Sequence, residues 1–191
     1  EIASLTVHGF NLADKYSMIT MLLADGTIGQ MMEPISFADV NVETYDKPWA
    51  LTGTKGQRKH NIVNSLYLNP EELEQKNFQR FQRYQEIEDK EQMWEEYQMK
   101  DAEICVVAFG IASRVAKNAV SAARAAGVKV GLIRPITLWP FPERSMGQMI
   151  EDIRLSTDCR RPVYLCNRTG GMIPSPDQVL QSIYDAQKGA M

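Results

Sequence analysis

The chain has 191 residues, of which 44% are hydrophobic and 24% charged, and its formal net charge is −3 at pH 7. This composition is ordinary for a globular protein with a hydrophobic core, and the charge gives no reason to expect a nucleic acid partner. No apolar run approaches the ~20 residues of a membrane span, and the first ten residues lack the layout of a signal peptide, so we expect a cytoplasmic protein.

The N-terminal region predicts a helix over residues 1–16, followed by a buried strand over the apolar run Met18–Ala24. A lone strand cannot satisfy its own backbone, so this one must join a sheet formed elsewhere. The following segment Gly29–Pro34 has the pattern of a helix that begins at a glycine. Its Gly29, Gln30 and Glu33 are candidates for a subunit interface, the alternative being an ordinary strand-to-helix turn.

Residues 35–69 contain several helix breakers and few periodic signals, which indicates a long surface connection. Asn69 and Pro70 then have the pattern of a helix start, and a helical region is predicted over Glu71–Lys100. Its partial apolar stripe favours a solvated arm packed at the domain edge; contact with a partner subunit is the alternative.

A βαβ unit is predicted from a strand at Ile104–Gly110, a helix at Ile111–Ala126 and a second strand that begins at Val128. The second strand ends at Arg134, which we expect to anchor carbonyl groups or to pair with an acid. The loop that follows is stiffened by prolines and carries Trp139 and Phe141. These three side chains are further interface candidates, because the loop has the character of a rigid docking surface.

The last third contains the block Gly147–Leu155, a predicted strand at Val163–Asn167 and a terminal helix that opens at Ser175. Between these, Arg168 and Thr169 begin an RTGG turn, which is a candidate phosphate site, although a plain Gly-Gly turn is the simpler reading. A crossover between parallel strands needs about a dozen residues, which the sequence around residue 144 does not provide. We therefore expect that a segment is absent between Arg144 and Ser145.

The sequence shows no catalytic constellation. His8 is expected on a helix surface and His60 in a basic loop, and neither has a nearby partner for acid–base chemistry. The three cysteines, Cys105, Cys159 and Cys166, do not have the short spacings of a cluster or zinc site, so we expect no metal site. The predicted fold class is α/β, a mostly parallel open sheet with helices on both faces, preceded by a helix–strand remnant of another domain.

Five blocks of the sequence together resemble the α subunit of the 2-oxoacid:ferredoxin oxidoreductases, the branched-chain (2-oxoisovalerate) type being nearest. They are ADGTIGQMMEP (24–34), DAEICVVAFGIASRVAKNAV (101–120), GVKVGLIRPITLWPFP (127–142), GQMIEDIRL (147–155) and RTGGMIP (168–174). The resemblance implies three parts: 1–34 as the end of a thiamine-pyrophosphate pyrimidine-binding domain, 35–100 as linker and helical arm, and 101–191 as a transketolase C-terminal-like domain.

The resemblance also implies a function. In this family a 2-oxoacid is decarboxylated oxidatively to an acyl-CoA, with thiamine pyrophosphate, Mg²⁺ and iron–sulfur clusters as cofactors of the whole enzyme and ferredoxin as electron acceptor. The implied partners are the β subunit and γ or ferredoxin-like subunits in a hetero-oligomer, and Arg168 and Thr169 become candidates for binding coenzyme A. No catalytic motif of the family falls on a position here. The alternatives are a 2-oxoglutarate-type enzyme and a non-catalytic interaction module that retains the fold.

Overall fold

The computed structural model describes residues 1–36, 41–140, 162–166 and 172–189. The helices are α1 (Ile2–Tyr16), α2 (Gly26–Gln30), α3 (Pro70–Lys90), α4 (Gly110–Ala125) and α5 (Pro176–Gln187), and the strands are β1 (Trp94–Tyr97), β2 (Ile104–Val107) and β3 (Val130–Pro135). None of these helices is both long enough and apolar enough to cross a membrane.

The chain forms two compact units. The first contains residues 1–24 and 31–83, and the second contains residues 25–30 and everything from residue 84 onward that the structure describes. Helix α3 therefore contributes its first two-thirds to the first unit and its last turns to the second.

The second unit is built on the predicted βαβ arrangement. Strands β2 and β3 are parallel neighbours, joined by α4, with Val106 opposite Leu132. Strand β1 pairs with the other side of β3 in the antiparallel sense, which gives the order β1-β3-β2. The α/β class is confirmed, and the sheet in the described part of the chain is mixed and open.

The core of this unit lies where α4 and α5 meet the sheet. The buried positions of α4 recur at spacings of three and four residues, so that one face of the helix is apolar. Most of them are alanines, whose small side chains allow a neighbouring helix to approach closely. The cluster comprises Ala116, Ala119, Val120, Ala123, Val128, Val130, Leu132, Val179 and Ile183.

Local sequence signals set the ends of several helices. The Asn69 side chain accepts hydrogen bonds from the N–H groups of Glu71 and Glu72 and so caps α3. Ser175 forms a capping box with Gln178 at the start of α5. Gly127, with φ of 87°, lies in the left-handed conformation directly after α4, where a glycine commonly ends a helix.

The predicted helix over Glu71–Lys100 is wrong beyond Lys90. The chain leaves the helix there and forms β1, whose Glu95 pairs with Arg134 on the neighbouring strand. Glutamate favours helices when nothing else acts on it, but strand pairing and this ion pair override the local preference.

The first unit contains α1 and the first part of α3, and no strand is formed in its described residues. Helix α1 was predicted correctly, but the predicted strand Met18–Ala24 is absent and its backbone is irregular. Several of its apolar side chains are exposed, with Ile19 at 93% and Met21 at 74%. A strand needs partner strands, and the described part of the chain offers none here.

Two other segments and His8 were also described by predictions from the sequence. The described residues of 35–69 form neither helix nor strand, as expected for a connection. Residues 162–166 are irregular, so the strand predicted from Val163 is not formed there. The side chain of His8 is not the surface group that was expected, since its Nε2 atom is buried and has no hydrogen-bonding partner in the described part of the chain.

Candidate functional site

The carboxyl ends of β2 and β3 lie at the same edge of the sheet because the two strands are parallel. Strand β2 leads through Ala108 and Phe109 into α4, and β3 leads into the loop 136–140. In open α/β sheets, ligands bind outside this edge. A site in the second unit is therefore expected at this edge of the sheet.

Asp25 occupies the N-terminus of α4 at this edge. Its Oδ2 atom accepts a hydrogen bond from the Ile111 N–H at 3.1 Å, and its Oδ1 atom accepts one from the Ile28 N–H at 2.7 Å. A carboxylate in this position satisfies a free helix N–H and interacts favourably with the helix dipole. The chain thus places its own anion where a bound anion would otherwise be expected.

Gly110 makes room for this arrangement. Its φ is +58°, and a Cβ atom added there would lie 3.0 Å from Asp25 Oδ2. The role of Asp25 was not predicted from the sequence. No local pattern connects it to Ile111, 86 positions later.

The interface candidates Gly29 and Gln30 lie in α2, the short helix that Asp25 links to α4. The prediction that a helix begins at Gly29 is wrong. The helix begins at Gly26, where Asp25 caps it from in front, and ends at Gln30. Glu33 lies in the exposed irregular segment after α2 and belongs to the first unit.

Arg134 forms an ion pair with Glu95. Pairing with an acid was one of the two roles predicted for it. Its guanidinium contacts Glu95 Oε2 through Nε at 2.9 Å and through Nη2 at 2.8 Å, and Lys117 Nζ lies 3.1 Å from Glu95 Oε1. These hydrogen bonds, that from Arg134 above all, hold the pKa of Glu95 below its usual value. The cluster joins β1, β3 and α4 and explains Arg134 without a ligand.

Trp139 is half-exposed and lies edge-on to the ring of Tyr84, with centroids 5.6 Å apart and planes at 82°. Its loop is fixed to the start of β1, where the Met93 N–H donates to Thr137 Oγ1 at 2.9 Å and Met93 O accepts from the Ile136 N–H. The other half of the indole is exposed to solvent. Phe141, Arg168 and Thr169 lie outside the described residues, as do Arg144 and Ser145.

The described residues do not fit a metal or an iron–sulfur cluster. No group of three or more His, Cys, Asp or Glu side chains comes together among them. Burial raises the pKa of the Cys105 thiol to about 11, which opposes the thiolate form that a metal ligand needs. Cys166 is free and exposed.

Comparison with known proteins supplies the identity that the side chains do not. Residues 102–146 match the family model of pyruvate:ferredoxin oxidoreductase core domain II. The chain is 44% identical, over 96% of its length, to the ketoisovalerate oxidoreductase subunit VorB of Methanothermobacter marburgensis, and 26% identical to the 2-oxoglutarate synthase subunit KorA of the same organism. The chain belongs to the family of 2-oxoacid:ferredoxin oxidoreductase subunits.

The fold agrees with a solved member of this family. The structure resembles, with a TM-score of 0.67 and 19% identity, the 2-oxoglutarate:ferredoxin oxidoreductase from Magnetococcus marinus, which was solved with 2-oxoglutarate, coenzyme A and succinyl-CoA bound. The match covers 95% of this chain and 40% of that one. At this identity the likeness concerns the fold alone.

The matched relatives are longer than the chain. It spans 56% of the ketoisovalerate subunit and 60% of the 2-oxoglutarate subunit. The first alignment runs over 201 positions, more than the 191 residues present, so the relative carries residues inside the matched span that this chain lacks. The absence of a segment between Arg144 and Ser145 stays a prediction.

Proposed function

We propose that the chain is part of the α subunit of a 2-oxoacid:ferredoxin oxidoreductase that converts a branched-chain 2-oxoacid to its acyl-CoA and reduces ferredoxin. The observation that carries the proposal is the 44% identity over 96% of the chain to a ketoisovalerate oxidoreductase subunit. The lower identity of 26% to a 2-oxoglutarate synthase subunit favours the branched-chain substrate over 2-oxoglutarate.

In this proposal the chain contributes structure and assembly rather than chemistry. No group of three or more His, Cys, Asp or Glu side chains that could hold a metal comes together among the described residues. Thiamine pyrophosphate, Mg²⁺ and iron–sulfur clusters are proposed for the whole enzyme, outside these residues. The proposed partners are a β subunit, γ or ferredoxin-like subunits and ferredoxin, in a cytoplasmic hetero-oligomer.

The proposal is tested by activity of the assembled enzyme. The subunit is co-expressed with the proposed β and γ subunits, and coenzyme A-dependent reduction of ferredoxin is measured with 2-oxoisovalerate, 2-oxoglutarate and pyruvate. We expect the highest kcat/KM with 2-oxoisovalerate. A preference for 2-oxoglutarate would contradict the substrate assignment, and an assembled complex inactive with all three would favour the non-catalytic module.

We also propose that Trp139 contacts a partner subunit. The indole is half-exposed on a loop that is tied to β1, and its edge contact with Tyr84 contributes only about 1 kcal/mol to stability. Trp139→Ala should therefore weaken subunit assembly at least tenfold while lowering Tm by only a few degrees. Phe78→Ala, an equally exposed aromatic on α3, is the control. Unchanged assembly with a large loss of Tm would assign Trp139 to packing.

We also propose that five further residues lie near subunit contacts: Gly29, Gln30, Glu33, Arg134 and Phe141. The three-part division at residues 34 and 100 follows the family resemblance. Arg168 and Thr169 are proposed to contact the nucleotide end of coenzyme A.

A further inference from the structure

The loop 52–58 is the centre of the most positively charged segment of this acidic chain. Between Asp46 and Glu71 the sequence has no acidic residue, whereas it has three lysines, one arginine and a histidine. Lys55 and Lys59 form no ion pair in the described part of the chain. Unpaired cations concentrated in one loop attract anions, and the attraction is specific to this place because the chain as a whole is negative.

The loop is held in shape by its own side chains. Arg58 donates hydrogen bonds to the carbonyl oxygen of Ala50 at 3.1 Å and to Thr52 Oγ1 at 3.4 Å. Asn61, which follows the loop, donates hydrogen bonds to the carbonyl oxygens of Pro48 and Ala50, which precede it, and so joins the two ends of the loop. A site fixed in this way loses less conformational entropy when a ligand binds.

The fixed loop is concave and polar. Thr52, Gly53, Thr54, Lys55, Gln57 and Arg58 line a depression of about 430 Å³. Three of the four residues from 53 to 56 have positive φ: Gly53 (82°), Lys55 (47°) and Gly56 (70°). Left-handed residues alternating with ordinary ones turn successive N–H groups toward one side, which is the geometry of backbone anion sites. The N–H groups of Gly53, Thr54 and Lys55 donate to no other described residue.

We propose that the loop 52–58 binds the phosphate groups of an organic diphosphate, through the N–H groups of 53–55 and the ammonium group of Lys55, while Lys59, the next residue after the loop, adds positive charge. In the assembled enzyme we assign this ligand as coenzyme A. That assignment rests on the proposed function, in which coenzyme A is the phosphate-bearing cosubstrate consumed in each turnover. The site is open to solvent, as a ligand that must enter and leave requires.

Binding is tested directly on the full chain. Trp49 is half-exposed beside the loop, so its fluorescence reports binding of coenzyme A or of inorganic pyrophosphate. We expect both to bind, pyrophosphate to compete with coenzyme A, and Trp49→Phe to remove the signal. The double variant Lys55→Gln/Lys59→Gln should lower affinity about tenfold. Lys100→Gln, an exposed lysine of the second unit, should leave it unchanged. Unaltered affinity in the double variant overturns the proposal.

The assembled enzyme tests the identity of the ligand. The double variant should raise the apparent KM for coenzyme A five- to tenfold and leave the KM for the oxoacid and kcat unchanged. Pyrophosphate binding with an unchanged KM for coenzyme A would overturn the assignment to coenzyme A. If the wild-type complex does not turn over 2-oxoisovalerate, the proposed function fails, and the fluorescence titration still decides whether the loop binds a diphosphate.

Discussion

Glu95 links three elements through one carboxylate, since Arg134 belongs to β3, Lys117 to α4 and Glu95 itself to β1. Because these hydrogen bonds lower its pKa in the folded state, the carboxylate stabilises the fold at pH values above about 4.5, its unfolded value. This contribution is lost as the pH falls through the folded pKa. Glu95→Gln should therefore cost about 0.5–1 kcal/mol at pH 7, since the group is partly exposed and screened by water.

The variant should also make stability less dependent on pH in the acid range. Denaturant unfolding at pH 7 and at pH values below 4.5 measures both effects. The matched control is Glu103→Gln, which removes an ion pair with Lys129 whose two side chains are mostly exposed. We expect almost no change there. Equal losses for the two variants would show that Glu95 contributes no more than an ordinary surface ion pair.

We expect Cys105 and Cys166 to react at different rates with alkylating reagents, because their thiols differ in burial. Burial raises the pKa of the Cys105 thiol to about 11, whereas Cys166 is exposed. At pH 8 only about one Cys105 thiol in a thousand is ionised, and the thiolate is the reactive form. In a Cys159→Ser background, iodoacetamide should modify Cys166 at least tenfold faster than Cys105. Mass spectrometry of the two peptides measures the rates, and comparable rates would contradict the burial of Cys105.

At the scale of elements, α4 is attached to α2 through Asp25 and Gly110. A side chain at Gly110 meets two obstacles, because φ is +58° and its Cβ would lie 3.0 Å from Asp25 Oδ2. At Gly127 an added Cβ atom would meet only the unfavourable φ of +87°, since no other atom would lie within 4 Å of it. Gly110→Ala should therefore cost about 1 kcal/mol more than Gly127→Ala, beyond the left-handed penalty that both share.

A double variant isolates the contact with Asp25. Asp25→Ala removes the carboxylate, so Gly110→Ala should cost less in that background than in the wild type. Thermal unfolding of the four proteins gives the coupling. Strict additivity would mean that the carboxylate moves aside without cost and that Gly110 is needed only for its φ.

The elements also show what the sequence could and could not predict. The βαβ unit and the caps at Asn69 and Ser175 were predictable because their signals lie within a few residues of the structures they form. Strand β1 was not, since its pairing partner Arg134 is 39 positions away and its own residues favour a helix. The same holds for Asp25, whose contact with Ile111 spans 86 positions. The confirmed predictions depend on residues that are close together in the sequence, whereas β1 and the role of Asp25 depend on contacts between residues 39 and 86 positions apart.

At the scale of the whole molecule, the apolar segment Met18–Ala24 is mostly exposed and is not paired with a strand in the described part of the chain. The N–H groups of residues 19–24 make no hydrogen bond with other described residues, and Ile19 and Met21 are exposed. Burial of such side chains is worth about 1.5–3 kcal/mol each, so their exposure favours association with further polypeptide. The matched ketoisovalerate subunit is nearly twice as long as the aligned region.

Hydrogen exchange decides whether this segment is covered in the complete enzyme. In the chain alone, the amides of residues 19–24 should exchange within seconds, because nothing protects them. In the assembled enzyme we expect protection of at least a hundredfold, as a strand paired with neighbours would give. The loop 52–58 is the internal control, since without coenzyme A it should exchange rapidly in both samples. Rapid exchange of 19–24 in the assembled enzyme would refute the covered strand and leave these side chains exposed to solvent in the complete enzyme as well.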